Sequence, residues 1–200
     1  MDRKVALFGG TFDPPTIAHQ IIAQIAYAET DVDEVWFMPC YGHQLNKTPI
    51  AKPWDRWQMC QNLSDAMGSN FSVCDFELKT KSEGRLYETL KALEKESKEN
   101  YELDFKFYPI IGSDCANEIQ TKWFKGKELI EEYNFIVFDR GGMKLNCDWV
   151  KAPHKLIAIN WECSSSQFRE AFKNKKYDLA QRLVNYKLWG PLGRIYRDLK

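Results

Sequence analysis

Residues 5–29 read VALFGGTFDPPTIAHQIIAQIAYAE, and this stretch restricts the fold more than any other. Val5–Phe8 is a short apolar run without alternation, as expected of a strand covered on both faces. Gly9 and Gly10 end it, and Pro14 and Pro15 prevent an immediate helix. Ile17, Ile21, Ile22, Ile25 and Ala26 then recur at helical spacing. A strand buried on both sides and followed at once by a helix is the first half of a βαβ unit.

The pattern repeats along the 200 residues. Strands are expected at 34–38, 71–74, 105–111, 135–138 and 156–159, and helices at 54–67, 85–98, 113–119 and 126–132. Two or three further helices are expected between 165 and 189. Such alternation predicts an α/β fold with a doubly wound, mostly parallel sheet and helices on both faces. One domain over 1–200 is expected, with a small helical region at about 164–200. Pro109 suits a sheet edge or strand end better than a centre. The charged run 91–100 reads as a solvated helix face.

Ligands of open α/β sheets bind beyond the carboxyl ends of the strands. Residues 9–19, 39–47, 112–114 and 139–142 should therefore share one crevice. The glycines after the first strand let backbone approach a ligand, and the next helix offers free N–H groups to an anion. Lys and Arg balance Asp and Glu at 28 each, so no global field recruits nucleic acid or an anionic membrane. Phosphate binding must be local. Neither GxGxxG nor GxxxxGK[ST] is present, which disfavours a Rossmann-type dehydrogenase and a P-loop protein.

Thr16 and His19 share a face of the first helical turn, where both can donate to one phosphoryl group. The plainer alternative makes Thr16 a helix cap and His19 a partly buried histidine. Residues 163–169, CSSSQFR, open another helix: its serines can cap or bind phosphate, and Arg169 can present a bidentate fork. Asp13 reads as a turn residue, and His43 and His154 as loop or surface residues. The six scattered cysteines and three histidines form no metal-ligand spacing and read as reduced thiols of a cytoplasmic protein. No stretch is long and apolar enough to span a membrane.

GGTFDPPTIAH resembles the [HT]xGH signature of the nucleotidyltransferase superfamily, and its fuller form is similar to that of the nicotinate- and nicotinamide-mononucleotide adenylyltransferases. Ala18 departs from the usual glycine. MPCYGHQLNK, DRWQMC, IIGSD followed by Trp123, VFDRGG, and SSSQFR in place of the family's SSTxIR also match in order; Leu86 stands for a serine before Tyr87 and Thr89, and Cys163 for an isoleucine. The resemblance implies a Rossmann-like fold and transfer of AMP from ATP, with Mg²⁺, to a pyridine mononucleotide. It implies catalytic roles for Thr16, His19, Lys47 and Arg169. It implies an ATP site at Gly9, Gly10, Thr11, Phe12, Thr16, His19, Gly112, Asp114, Ser164, Ser165 and Arg169. The acceptor would meet Lys47, Tyr87, Thr89, Asp114, Trp123 and Arg140. Trp123 could equally be a core tryptophan. The rival readings are an adenylyltransferase for another acceptor, such as phosphopantetheine, and a nucleotide-binding module without turnover.

Overall fold

The computed structural model describes residues 2–42, 48–82, 84–101, 104–140, 145–151, 154–159 and 163–197. Six parallel strands form one sheet: β1 (Asp2–Gly10), β2 (Glu34–Pro39), β3 (Phe71–Val73), β4 (Asp104–Gly112), β5 (Ile136–Arg140) and β6 (Lys155–Ile159). Their spatial order is β3-β2-β1-β4-β5-β6. The chain thus builds outward from β1 in one direction, then crosses to β4 and builds in the other. That reversal, between β1 and β4, is the topological switch point of a doubly wound sheet.

The side-chain alternation of β1 divides the core. Ala6 and Phe8 face Val35, Phe37 and the helix α1 (Ile17–Glu29), with Cys60 and Leu63 of α2 (Pro53–Met67). Val5 and Leu7 point to the opposite face, against α4 (Leu86–Tyr101), α5 (Ser113–Lys122) and α6 (Gly126–Glu132). Residues that alternate in direction but are apolar in both directions require helices on both faces. A third apolar cluster joins Ala51 and Met59 to the C-terminal helices α7 (Ser165–Lys173), α8 (Tyr177–Arg182) and α9 (Trp189–Ile195).

Pro109 lies in an inner strand, contrary to its usual preference, and register explains why it is tolerated. It pairs opposite Leu7 of β1, but the β5 ladder begins only at Ile110, opposite Ile136. At Pro109 the strand still has one neighbour. The run 91–100 exposes its charges on α4 while Leu93 and Ser97 point inward. A five-residue helix α3 (Phe76–Thr80) was not expected from the sequence, being too short to show a period. His154 lies in the loop before β6, one of the two placements expected, and is half-buried: Nδ1 accepts the Phe135 N–H at 3.0 Å and the ring meets Trp149 edge-on. Burial lowers its pKa. His43 lies outside the described residues. Among the described residues no disulfide joins the cysteines. Among the described residues no helix is long and apolar enough to cross a membrane.

Candidate active site

A cavity of about 630 Å³ opens at the switch point, of ordinary size for a small-molecule site. Of the residues singled out in the sequence, Gly9, Gly10, Thr11, Phe12, His19, Gly112, Asp114, Trp123, Ser164, Ser165 and Arg169 line it. The β2 side is formed by Thr48 and Pro49. Lys47 lies outside the described residues, as does the side chain of Arg140, whose backbone ends β5 opposite Ile159.

The floor is shaped by a tight approach of ring to backbone. Phe12 has φ of 50°, an uncommon conformation for a residue with a side chain. Its buried ring packs edge-on against Phe8 and Phe37, at 5.5 and 5.7 Å between centroids. A Cβ on Gly10 would meet that ring at 3.1 Å, so glycine there makes room for Phe12. His19 stands against the same ring, at 5.1 Å and 67°.

Thr16 and His19 are brought together, but not as two parallel donors. The Thr16 N–H donates to His19 Nδ1 at 2.9 Å, and Thr16 Oγ1 lies 2.9 Å from the same nitrogen. The histidine reaches back over the first turn of α1 as a capping-box glutamate would. With Nδ1 accepting from the backbone, the ring is held as the tautomer protonated on Nε2. Lining the cavity, it can donate there without carrying charge. Thr16 is fully buried. The expectation that its hydroxyl faces a phosphoryl group is therefore corrected: it orients His19.

The start of α7 lines the same cavity. Ser164 caps it: Oγ accepts from Gln167 N–H at 3.2 Å, while Ser164 N–H donates to Gln167 Oε1 at 2.8 Å. The Ser165 hydroxyl donates to Pro14 O at 2.8 Å. Arg169 donates through Nη1 to Asp13 O at 2.5 Å and through Nη2 to Ser166 Oγ at 3.1 Å. The first turns of α1, α5 and α7 all line one cavity, which concentrates N–H groups and positive dipole ends there.

Asp114, in the first turn of α5, has its Oδ1 buried without a hydrogen-bond partner among the described residues. A buried acceptor without a donor is costly, and a ligand hydroxyl or N–H would relieve it. Trp123 is half-buried, packed on the second core cluster and bordering the cavity, so the alternative of a core or a site tryptophan resolves into both placements. Its position depends on Gly126, where a Cβ would sit 1.7 Å from Ile119 O. Asp13 is the turn residue expected. Its carboxylate accepts from Ile50 N–H (2.9 Å), Ala51 N–H (3.0 Å) and the Tyr196 hydroxyl (2.6 Å).

Tyr87 and Thr89 are corrections, because neither lines the cavity. The Tyr87 hydroxyl donates to Glu132 at 3.0 Å, and Lys125 Nζ sits 4.5 Å from its ring centre. Thr89 is buried and donates to Glu77 at 3.3 Å. Glu77 is itself 4% exposed, and burial pushes its carboxyl up to about 7.

Two support residues receive no role from the sequence, although Arg56 lies in the DRWQMC stretch that resembles the family and Tyr196 ends GRIY, which resembles its terminal Gly-Leu-Tyr. Arg56 is fully buried among the loops behind the cavity. It shares a helix face with Met59, Cys60 and Leu63, a signal that a charged side chain points inward. Tyr196 is fully buried 183 residues from its partner Asp13, and no local pattern announces such a bond.

A profile of the cytidylyltransferase-like family matches residues 7–171. The chain is 33% identical over 192 residues to a Bacillus cytotoxicus protein named "probable nicotinate-nucleotide adenylyltransferase", spanning 92% of this chain and 95% of that one. It is 32% identical to a Bacillus anthracis protein of the same name, over 87% and 88%. Among solved structures, a Plasmodium falciparum nicotinic acid mononucleotide adenylyltransferase shares the fold with a TM-score of 0.78 at 23% identity, covering 98% of this chain and 97% of that one. That enzyme has been solved in complex with APC and with NaAD. The chain belongs to the cytidylyltransferase-like family, in the nicotinate-nucleotide adenylyltransferase group of nucleotidyltransferases.

Proposed function

We propose that this chain transfers the adenylyl group of ATP to nicotinate mononucleotide, releasing pyrophosphate and forming the deamidated dinucleotide. The observation that carries the reading is that His19 and the start of α7 line one cavity at the switch point. Kinship with relatives named for nicotinate supports nicotinate over nicotinamide as the acceptor.

In the reaction, an oxygen of the mononucleotide's phosphate forms a bond to the α-phosphorus of ATP. The bond from that phosphorus to the bridging oxygen breaks, and the electron pair leaves with pyrophosphate. The nucleophile is already an anion, so no side chain need take its proton. The protein's task is positioning and charge stabilisation. His19 Nε2–H is assigned to an α-phosphate oxygen, where a fixed donor assists developing negative charge. Thr16 sets the histidine's tautomer. The N–H groups at the start of α7, with Ser165, Arg169 and Lys47, hold the β- and γ-phosphates. Gly9, Gly10, Thr11 and Phe12 bring backbone to the nucleotide, with Gly112 opposite. Asp114 accepts from a sugar hydroxyl, and Trp123 and Arg140 are assigned to the acceptor.

Mg²⁺ accompanies ATP in this reading. Among the described residues no group of three or more His, Cys, Asp or Glu is placed to hold a metal. The ion therefore fits as one carried by phosphate oxygens and water, the common manner for Mg²⁺ at nucleotide sites. Held there, it would supply positive charge to offset that of the pyrophosphate leaving group. Residues 1–200 are proposed to act as one domain in the cytoplasm, the C-terminal helices being tied to the site by Tyr196 and Asp13.

The test is pyrophosphate release from ATP and Mg²⁺ with nicotinate mononucleotide, nicotinamide mononucleotide or phosphopantetheine. Release fastest with nicotinate mononucleotide supports the proposal. Release with phosphopantetheine alone, or ATP binding without turnover on any acceptor, overturns it.

A further inference from the structure

Behind the cavity a single buried cation grips both loops that frame it. Arg56 is 0% exposed. Its Nη1 donates to Thr11 O at 2.7 Å, and its Nη2 to Cys40 O at 2.7 Å and, more weakly, to Tyr41 O at 3.4 Å. Thr11 belongs to the loop leaving β1, and Cys40 follows directly on β2. The two loops touch where Cys40 N–H donates to Gly10 O at 2.9 Å. Beyond that bond the parallel ladder ends, and the carbonyls of residues 11, 40 and 41 have left the sheet. The guanidinium supplies donors to all three. From the other side the buried Glu77 carboxyl approaches the backbone of Tyr41.

Burying an arginine is expensive, and neutral carbonyls repay less than a carboxylate would. The Arg56 Nε has no partner among the described residues. An apolar residue on the inward face of α2 would satisfy the core at less cost. What it could not do is tie two loops together with a planar fork.

We propose that Arg56 is a positioning residue of the nucleotide site, fixing Thr11 against the Cys40–Tyr41 corner so that the backbone of residues 9–12 keeps the shape that receives the phosphates of ATP. The inference rests on the proposed function for its ligand, ATP, and for its turnover readout. Lysine at 56 keeps the charge but reaches one carbonyl at a time, and methionine keeps bulk without donors.

The experiment compares wild type, Arg56→Lys and Arg56→Met by ATP titration in a calorimeter, steady-state pyrophosphate release, and thermal melts. Expected for Arg56→Lys is a cooperative melt, with turnover per bound ATP falling roughly ten- to a hundred-fold, the scale of a misplaced reacting group. ATP affinity should fall several-fold, and Arg56→Met should lose more of both. A purely structural arginine would lower the melting temperature but leave kcat and ATP affinity at wild-type values below the transition. That result overturns the proposal, as does failure of both variants to fold. If wild type binds ATP but releases no pyrophosphate, the adenylyltransferase reading fails on its own. The titration of Arg56→Lys against wild type then still decides the role of Arg56.

Discussion

Glu77 makes a measurable demand on the stability of this protein. Its carboxyl is 4% exposed and rises from an ordinary 4.5 to about 7, chiefly because burial disfavours the anion. The Thr89 hydroxyl, the Tyr41 backbone and the Arg56 charge all pull the other way without matching the burial. A carboxyl with a raised pKa binds its proton more tightly folded than unfolded. Its stabilising contribution is therefore complete below pH 4.5 and is lost as pH climbs through 7. A rise of about 2.5 pH units at 1.36 kcal/mol each gives a loss of about 3 kcal/mol across that window. His154 titrates in the same range with the opposite sign, since burial lowers its pKa and stability recovers as it deprotonates. The wild-type curve alone thus mixes both. Glu77→Gln separates them by keeping the shape and removing the charge. Urea unfolding of both proteins at pH 5, 6, 7 and 8 should show the variant gaining on wild type by about 2–3 kcal/mol between the extremes, since pH 5 already lies above the unfolded pKa. A difference between the two that stays flat within about 1 kcal/mol over that range would refute the argument.

His19→Ala should reduce pyrophosphate release by roughly 10²–10³ while the melting curve stays near wild type, because one transition-state donor is lost; activity within a few-fold of wild type would remove His19 from the chemistry. Gly126→Ala places a methyl 1.7 Å from Ile119 O, backbone that cannot step aside. Urea melts should show a loss of about 3 kcal/mol or more, at the upper end for overpacking, and acceptor binding should suffer with the displaced Trp123. Tyr196→Phe deletes the 2.6 Å bond to Asp13 and should lower stability by about 1.5–3 kcal/mol by chemical denaturation, as for hydrogen bonds to charged groups.

Much of the fold could be read from apolar runs because each core strand is covered on both faces. VALF, EVWFM and FIVF need no alternation to be recognised, and the helices between them show a period. Their ends were less legible: α4 runs to Tyr101 and α5 to Lys122, beyond the expected limits, since fraying positions carry no pattern. The crevice followed from topology, which places strand ends together whatever the side chains are. Side-chain direction did not follow. Thr16 and His19 at helical spacing could both have faced a ligand, and only the folded turn shows one orienting the other. Tyr87 and Thr89 lie on a helix whose phase is fixed by Leu90 and Leu93, and that phase turns Thr89 inward to Glu77. Arg56 could be noticed from the DRWQMC match and from its apolar helix face. Its partners could not, because backbone carbonyls have no letter in a sequence.

The starts of α1 and α7 line one cavity, although some 150 residues separate them, and so must be held in register. A route through the sheet, strand by strand, would accumulate the play of every loop between. The chain instead joins the two ends directly. Ser165 Oγ donates to Pro14 O, Arg169 donates to Asp13 O, and the Ile17 N–H donates to Leu183 O at 3.0 Å. Tyr196 closes the same knot on the Asp13 side chain. These bonds lie on backbone carbonyls and one buried carboxylate, groups that substitution elsewhere does not move. The spacing between these two helix starts is then independent of the strand-to-helix connections that lie between them in the chain. Sequence change at the Lys81–Ser82 turn or at 145–151 should leave the distance from His19 to the first turn of α7 intact, whereas a change at Asp13 should disturb both helix starts at once.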